Sequence, residues 1–340
     1  MDKILDIVAK NRNAFLGVLL GSLFIAFSFI VPHFFSIYNI SNMTQYGVEI
    51  GLLAFAEAII IISGGGGIDL SVGSLLSLSA MIIGVLVGRH NFNIWVATSV
   101  GLGVAALGGA FNGILVSIAK IPPLLATLAN MYIFSSLALL VSVEPKFGNP
   151  MPISKFPESY FFIGQSTIWG IPFQVLFIFI PSFLILNYFI KNTAFGRYLY
   201  ATGSNEKAAR FSNVPVRRIR FMVYLIGGIL VGIAAVIMTS RIASSRPDLG
   251  TGYELQAITI AVLGGINIFG GEGELSGVLL SISIIVVLYN GLQLAGVNAI
   301  WQMGTLGLVL IGSAIGNYFL SKRAMRILVT KENTVEKEGK

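Results

Sequence analysis

The chain has 340 residues, of which 55% are hydrophobic and only 11% charged, and its mean hydropathy is +0.84. A soluble domain carries nearer about 25% charged residues, so this is an all-α integral membrane protein. There is no cysteine, and His33 and His90 are the only imidazoles and lie far apart, which leaves disulfide, thiolate-metal and zinc chemistry without a basis. No cofactor or metal is expected. The formal charge of +7 does not point to nucleic acid, because the basic residues gather in three places that alternate with apolar spans, as membrane topology demands.

In chain order, Lys3, Lys10 and Arg12 precede an apolar run over 14–31, enough at about 1.5 Å per residue to cross a hydrocarbon core of roughly 30 Å. Pro32, His33, Phe34 and Phe35 follow where a signal peptide would carry small residues, so the run reads as a retained first helix. Further apolar runs at 47–63, 70–88, 94–119, 123–143, 169–190, 221–242, 255–269, 275–296 and 300–320 bring the expected spans to about ten. The run at 255–269 is the weakest, short and polar at its start, and a re-entrant hairpin there would change the count without moving the termini. The expected organisation is one integral-membrane domain over 1–340, with a short cytoplasmic N-terminus 1–13, a cytoplasmic loop 191–220 and a cytoplasmic tail 321–340. Of 22 Lys and Arg residues, only Arg89, Lys146, Lys155, Arg241 and Arg246 then lie outside, which satisfies the positive-inside rule with both termini cytoplasmic. Trp95, Trp169 and Trp301 each fall at the outer start of a span.

One stretch interrupts this pattern. Ser63-Gly64-Gly65-Gly66-Gly67-Ile68-Asp69-Leu70-Ser71-Val72-Gly73-Ser74 places four glycines, a carboxylate and hydroxyls between apolar runs. A helix must break there, and broken backbone is tolerated at membrane depth only where protein buries it or it lines a cavity. The pattern Gly66-Gly67-Ile68-Asp69-Leu70, with Gly73 beyond, returns as Gly264-Gly265-Ile266-Asn267-Ile268 with Gly271. Two glycine-rich breaks in a pseudo-repeated bundle suggest two related halves meeting around a pathway. Asp69 and Asn267, with Ser71 and Ser74, either cap exposed helix ends or face the solute path. Glu57, an acid inside a span, either orients solute hydroxyls or caps the broken backbone below it.

In the loop 191–220, Asn205 reads as the N-cap of a short helix with Glu206 in its first turn. Asn213 can end that helix in a left-handed conformation, and Pro215 prevents its resumption. The helix presents Ala208 and Phe211 to a protein groove, or else the basic loop lies on anionic lipid. Small residues recur four apart at Gly17 and Gly21, Gly47 and Gly51, Gly84 and Gly88, Gly109 and Gly113, Gly228 and Gly232, and Gly312 and Gly316, as close helix packing requires. No phosphate loop, zinc-binding His pair or nucleophile elbow occurs, so an enzyme is not expected. The longest outer segments are 144–168 and 243–254, and the second carries Arg246, Asp248 and Glu254.

Three motifs in order carry a resemblance. Gly67-Ile68-Asp69-Leu70-Ser71-Val72-Gly73-Ser74 is the first. Thr193-Ala194-Phe195-Gly196-Arg197 with Ala201-Thr202-Gly203-Ser204-Asn205-Glu206-Lys207-Ala208-Ala209-Arg210 is the second. Gly250-Thr251-Gly252-Tyr253-Glu254-Leu255 with Val262-Leu263-Gly264-Gly265 is the third. Over about residues 35–313 the chain resembles the membrane permease of ribose-type bacterial ABC sugar importers. The resemblance implies a passive channel subunit for a monosaccharide in the inner membrane. It implies a second permease copy, identical or paralogous, ATP-binding subunits in the cytoplasm and an extracytoplasmic solute-binding protein, expected to dock on 144–168 and 243–254 with Arg246, Asp248 and Glu254 steering the encounter. It also implies that Gly203, Asn205, Glu206, Ala208, Ala209, Arg210 and Phe211 couple to the ATPase. Related permeases carry nucleosides or a furanone signal, and an ion-coupled secondary transporter is the rival from another class.

Overall fold

The computed structural model describes residues 12–144, 146–313 and 315. The expected tail 321–340, most of the N-terminus 1–13, and Gly316 lie outside the described residues. Almost everything described is helical, and seven helices are long and apolar enough to cross a membrane.

In chain order these are α1 (Arg12–Ile30), α2 (Ile37–Ile62), α3 (Val72–Gly88), α4 (Ile94–Ser117) and α5 (Pro123–Ser142). A short α6 (Glu158–Gln165) and a hairpin of β1 (Thr167–Ile168) and β2 (Ile171–Pro172) lead to a π-helical turn, Val175–Phe179, that continues as α7 (Ile180–Asn192). Two short helices follow, α8 (Ala194–Ser204) and α9 (Glu206–Phe211). The chain then runs through α10 (Val216–Ile242), α11 (Tyr253–Leu263), α12 (Leu275–Leu294) and α13 (Ala299–Ser313). The ten expected spans correspond to the seven long helices plus the shorter apolar α3, α11 and α13.

Local chemistry sets many of the ends. Ser36 accepts the Asn39 N–H at 3.2 Å to open α2, and Asn93 accepts the Trp95 N–H at 2.9 Å to open α4, each satisfying a donor that the first helical turn leaves free. The π-helical turn sits where Pro181 removes a backbone donor, and the ladder slips so that the Ile180 N–H reaches Val175 O. Trp169 does not begin a span. With Gly170 it forms the two-residue turn of the hairpin, both residues at positive φ, and the following span begins only at Val175.

The core is organised around α2, in which every residue of 47–62 is buried. Helices α10, α11, α12 and the π-helical turn pack directly on it. α10 also lies along α4, where Gly109 and Gly228 bring the two backbones together. A Cβ on Gly109 would meet the Tyr224 carbonyl and Gly228 Cα, so small residues set this crossing. Gly84 and Gly88 likewise admit Ser245 and Ile153, and Gly51 admits Phe179, whereas Gly17, Gly21 and Gly312 touch nothing. α1, by contrast, is apolar all round and leaves Phe15, Val18, Ile25 and Phe29 bare, which suits a helix whose outer face meets lipid.

Candidate functional site

Two segments enter the bundle from opposite ends and meet inside it. The first is the glycine-rich break. Gly64, Gly65 and Gly66 all have positive φ, a run that side chains with a Cβ oppose, and they turn the chain back beside the end of α2. The chain climbs until the Asp69 N–H donates to Glu57 Oε2 at 3.3 Å, one helical turn and more above the end of α2. Asp69 Oδ1 then accepts both the Ser71 N–H (2.8 Å) and the Ser71 hydroxyl (2.6 Å). Asp69 Oδ2 accepts from Asn112 Nδ2 at 3.0 Å, and that amide also donates to Ser71 Oγ at 2.7 Å. Asn130 donates to Asn112 Oδ1, and the Thr127 hydroxyl donates to Ile68 O. Glu57, Asp69, Ser71, Asn112, Asn130 and Thr127 are all buried. Half-buried Ser74 only donates back to Ser71 O.

Buried polar atoms need partners, and this network supplies them to a backbone that has left the helix. One oxygen, Glu57 Oε1, has none among the described residues. Asn112 and Asn130 were not singled out in the sequence, although a lone amide within an apolar span is a signal that could have found them.

The second segment, 243–252, follows the end of α10, where Ala243 adopts a left-handed conformation. Although expected to be an outer loop, it runs inward along α3. Ser245 pairs with Ile153 (2.9 and 2.8 Å) and its hydroxyl donates to Ala80 O at 2.8 Å. The Gly250 N–H donates to Ser77 Oγ at 2.9 Å. Gly250 then lies against Gly73 so closely that a Cβ on either would meet the other's backbone. The two re-entrant tips therefore touch, and α3 and α11 both start from that junction. Glu254 belongs here too. Its carboxylate accepts the Gly252 N–H at 3.2 Å and lies against Gly73, apart from Arg246 and Asp248, which pair with each other (2.6 Å).

Asn267, the repeat partner of Asp69, is placed differently. Both side chains accept the N–H two residues on, Asp69 from Ser71 and Asn267 from Phe269 (3.0 Å). The chain after Asn267, however, closes a surface turn to Glu272 instead of climbing. The matching ten residues thus share a local turn without sharing depth, and 243–252, which the internal repeat did not indicate, is the segment that meets the first re-entrant one.

At the end of the bundle carrying the breaks, α8 wedges between them. Gly203 packs against Ile62 O and Gly271 N, Gly64 lies against Gly203 and Gly270, and the Gly271 N–H donates to Ile62 O at 2.9 Å. Tyr200 donates to Gly273 O at 2.7 Å. α9 opens with the expected cap, Asn205 accepting the Ala208 N–H at 3.1 Å. It closes with Asn213 at positive φ and the Val214 N–H on Ala209 O. Glu206 is held by Arg210 and Arg220, each at 2.6 Å. Partial burial pushes its pKa up, but the two guanidiniums outweigh that and leave it below the usual glutamate range. Ala208, Arg210 and Phe211 are exposed on α9, whereas Ala209 is buried within the chain itself.

Towards the far end, Arg241 on α10 forms a fork on the fully buried Glu49 of α2 (2.6 and 2.9 Å). The Tyr46 hydroxyl donates to Gln256 nearby (2.6 Å). Glu49 is an acid inside an apolar run, a signal in the sequence that points to it as it does to Glu57. Among the described residues no group of His, Cys, Asp and Glu could hold a metal ion.

A multi-pass helical bundle, with two broken spans meeting inside it and the short helix α8 wedged against the breaks, is the architecture of a membrane permease, a transport subunit and not itself an enzyme. The comparisons agree: the chain belongs to the family described as branched-chain amino acid transport system / permease component, which matches residues 39–314. It is 36% identical to the ribose import permease protein of Bacillus subtilis over 90% of this chain and 92% of the relative. It is also 36% identical to the ribose import permease protein of Escherichia coli K12 over 81% and 84%. The autoinducer 2 import system permease protein of Klebsiella pneumoniae is 34% identical over 84% and 85%. No solved structure matches the chain significantly. As a member of this family the protein is a multi-pass inner-membrane ABC importer permease.

Proposed function

We propose that the chain forms one half of the translocation path of an importer for a monosaccharide, paired with a second permease copy in the lipid bilayer and driven by separate ATP-binding subunits. The observation that carries this reading is the wedge of α8 between both breaks, joined to α9 through the single residue Asn205. A partner that moves α9 would act on the Ile62, Gly203 and Gly271 backbones together. The break end is the cytoplasmic one on this reading, since Lys120, Lys191, Arg197, Lys207, Arg210, Arg217, Arg218 and Arg220 lie towards it. The two termini are then cytoplasmic, and residues 144–168 at the far end receive the solute-binding protein.

α9 docks in the ATPase through its exposed residues, with Gly203 and Asn205 setting its angle and Glu206 holding it to Arg220. Glu57, Asp69 and Ser71 keep the first break folded, while Asn267 shapes the surface turn of the second. The ribose permeases among the relatives support a sugar, and the autoinducer 2 permease supports testing a furanone beside it.

The test is uptake of labelled ribose, a branched-chain amino acid and the furanone by the assembled importer in vesicles, for the unsubstituted chain and Ala208→Trp. Ala208 is exposed, so the variant should reach the membrane and lose uptake together with ATPase association. Uptake and association both intact in Ala208→Trp would sink the coupling role, and uptake of the amino acid alone would sink the sugar reading.

A further inference from the structure

We propose that the re-entrant segment 243–252 lines the solute path, with the Arg246 and Asp248 pair as a polar contact that hands a hydroxyl-rich solute through. This rests on the transport reading above but concerns residues that it does not use. Depth is the first argument. α11 has 11 residues, about 16 Å at 1.5 Å per residue, or half of a core of roughly 30 Å. The other half is covered by 243–252, whose contacts on α3 move from Gly84 at Ser245 to Gly73 at Gly250, again about 16 Å of helix. Two separate lengths therefore add up to one membrane thickness, and Arg246 and Asp248 fall between the two pinned ends.

Exposure is the second argument. Ser245, Leu249 and Gly250 are buried, whereas the Arg246 and Asp248 side chains are 52% and 57% exposed, and Thr251 and Leu255 are bare beside them. Irregular backbone and charge at membrane depth do not face lipid; they face protein or a water-filled cavity. A bare, charged flank on a segment reaching the junction of two broken helices fits the cavity.

Chemistry is the third. Arg246 donates through Nε (3.0 Å) and Nη2 (2.6 Å) to the two Asp248 oxygens, leaving further guanidinium donors and carboxylate lone pairs side by side. Adjacent donors and acceptors match the vicinal hydroxyls of a neutral polyol, and the pair's zero net charge does not trap it.

The chain has no cysteine, so single thiols report accessibility directly. Thr251→Cys, nearly isosteric, should react with a hydrophilic, membrane-impermeant thiol reagent in the assembled importer, and the adduct should block uptake. In parallel, Asp248→Asn should lower uptake about tenfold, the scale of one lost charge-assisted hydrogen bond, while ATP hydrolysis stimulated by the solute-binding protein stays within about twofold. A thiol that never reacts, or reacts only after the permease copies are separated, overturns the path assignment. Loss of stimulated ATP hydrolysis in Asp248→Asn also overturns it, returning the pair to receptor docking. Labelling needs no solute, so a wrong sugar assignment shows as absent uptake in the unsubstituted importer and leaves the lining result standing.

Discussion

Asp69 shows how one side chain can hold a broken span. Its two oxygens take three donors, the Ser71 N–H, the Ser71 hydroxyl and the Asn112 amide, and its own N–H reaches Glu57. Asparagine keeps one acceptor oxygen, so Asp69→Asn should retain the Asx turn and remain folded, with a modest loss of thermal stability in detergent. Asp69→Leu leaves buried donors unpaired at about 1–3 kcal/mol each, and its melting temperature should fall much further or its expression fail. Equal melting temperatures for the two variants would show that the network does not hold the break. Asp69 was legible in the sequence because a carboxylate among glycines stands out in an apolar run. Its link to Asn112, and through that amide to Asn130, was not, because the two asparagines lie on other helices and only packing brings them within reach.

Between elements, the small residues divide into two kinds that the sequence spacing treats alike. Gly109 lies where α4 and α10 touch backbone to backbone, whereas Gly17 on α1 faces open space. Gly109→Ala should cost about 1–3 kcal/mol by overpacking and lower the melting temperature. Gly17→Ala should leave it unchanged or raise it, since alanine favours the helix by about 1 kcal/mol. If both substitutions were equally tolerated, the close α4–α10 crossing would be wrong. The same distinction applies to Ala208 and Ala209, adjacent in one motif. The first looks outward from α9 and the second into the chain, so only the first tests a partner.

Across the whole molecule, the pair of Glu49 and Arg241 ties α2 to α10 over a sequence separation of 192 residues. With Glu49 fully buried, Arg241→Met alone leaves an unpaired charge and should destabilise by about 3–5 kcal/mol. Adding Glu49→Leu removes that charge, and the double variant should melt closer to the unsubstituted chain than the single one does. A double variant less stable than the single would mean that the ion pair does not act as a unit.

The membrane class, the places of the apolar runs and the first break were determined by the sequence alone, because hydropathy and glycine runs are local properties that lipid enforces at each span, whereas where the run at 169–190 begins and how far that at 255–269 reaches were not. The short capped helix was equally local, since Asn205, Glu206 and Asn213 act on neighbouring backbone. The tertiary structure alone decided that 243–252 runs inward and meets the first break at Gly73 and Gly250, that Asn267 stays at the surface, and that α8 lies between both breaks. The first and the third depend on one backbone touching another far away in the chain, where the missing Cβ of a glycine matters only once its neighbour is known, and the second on a turn that closes on Glu272. Spacing can reveal that a helix must stop, but the direction the chain takes next is settled by which distant carbonyls and amides are left for it to satisfy.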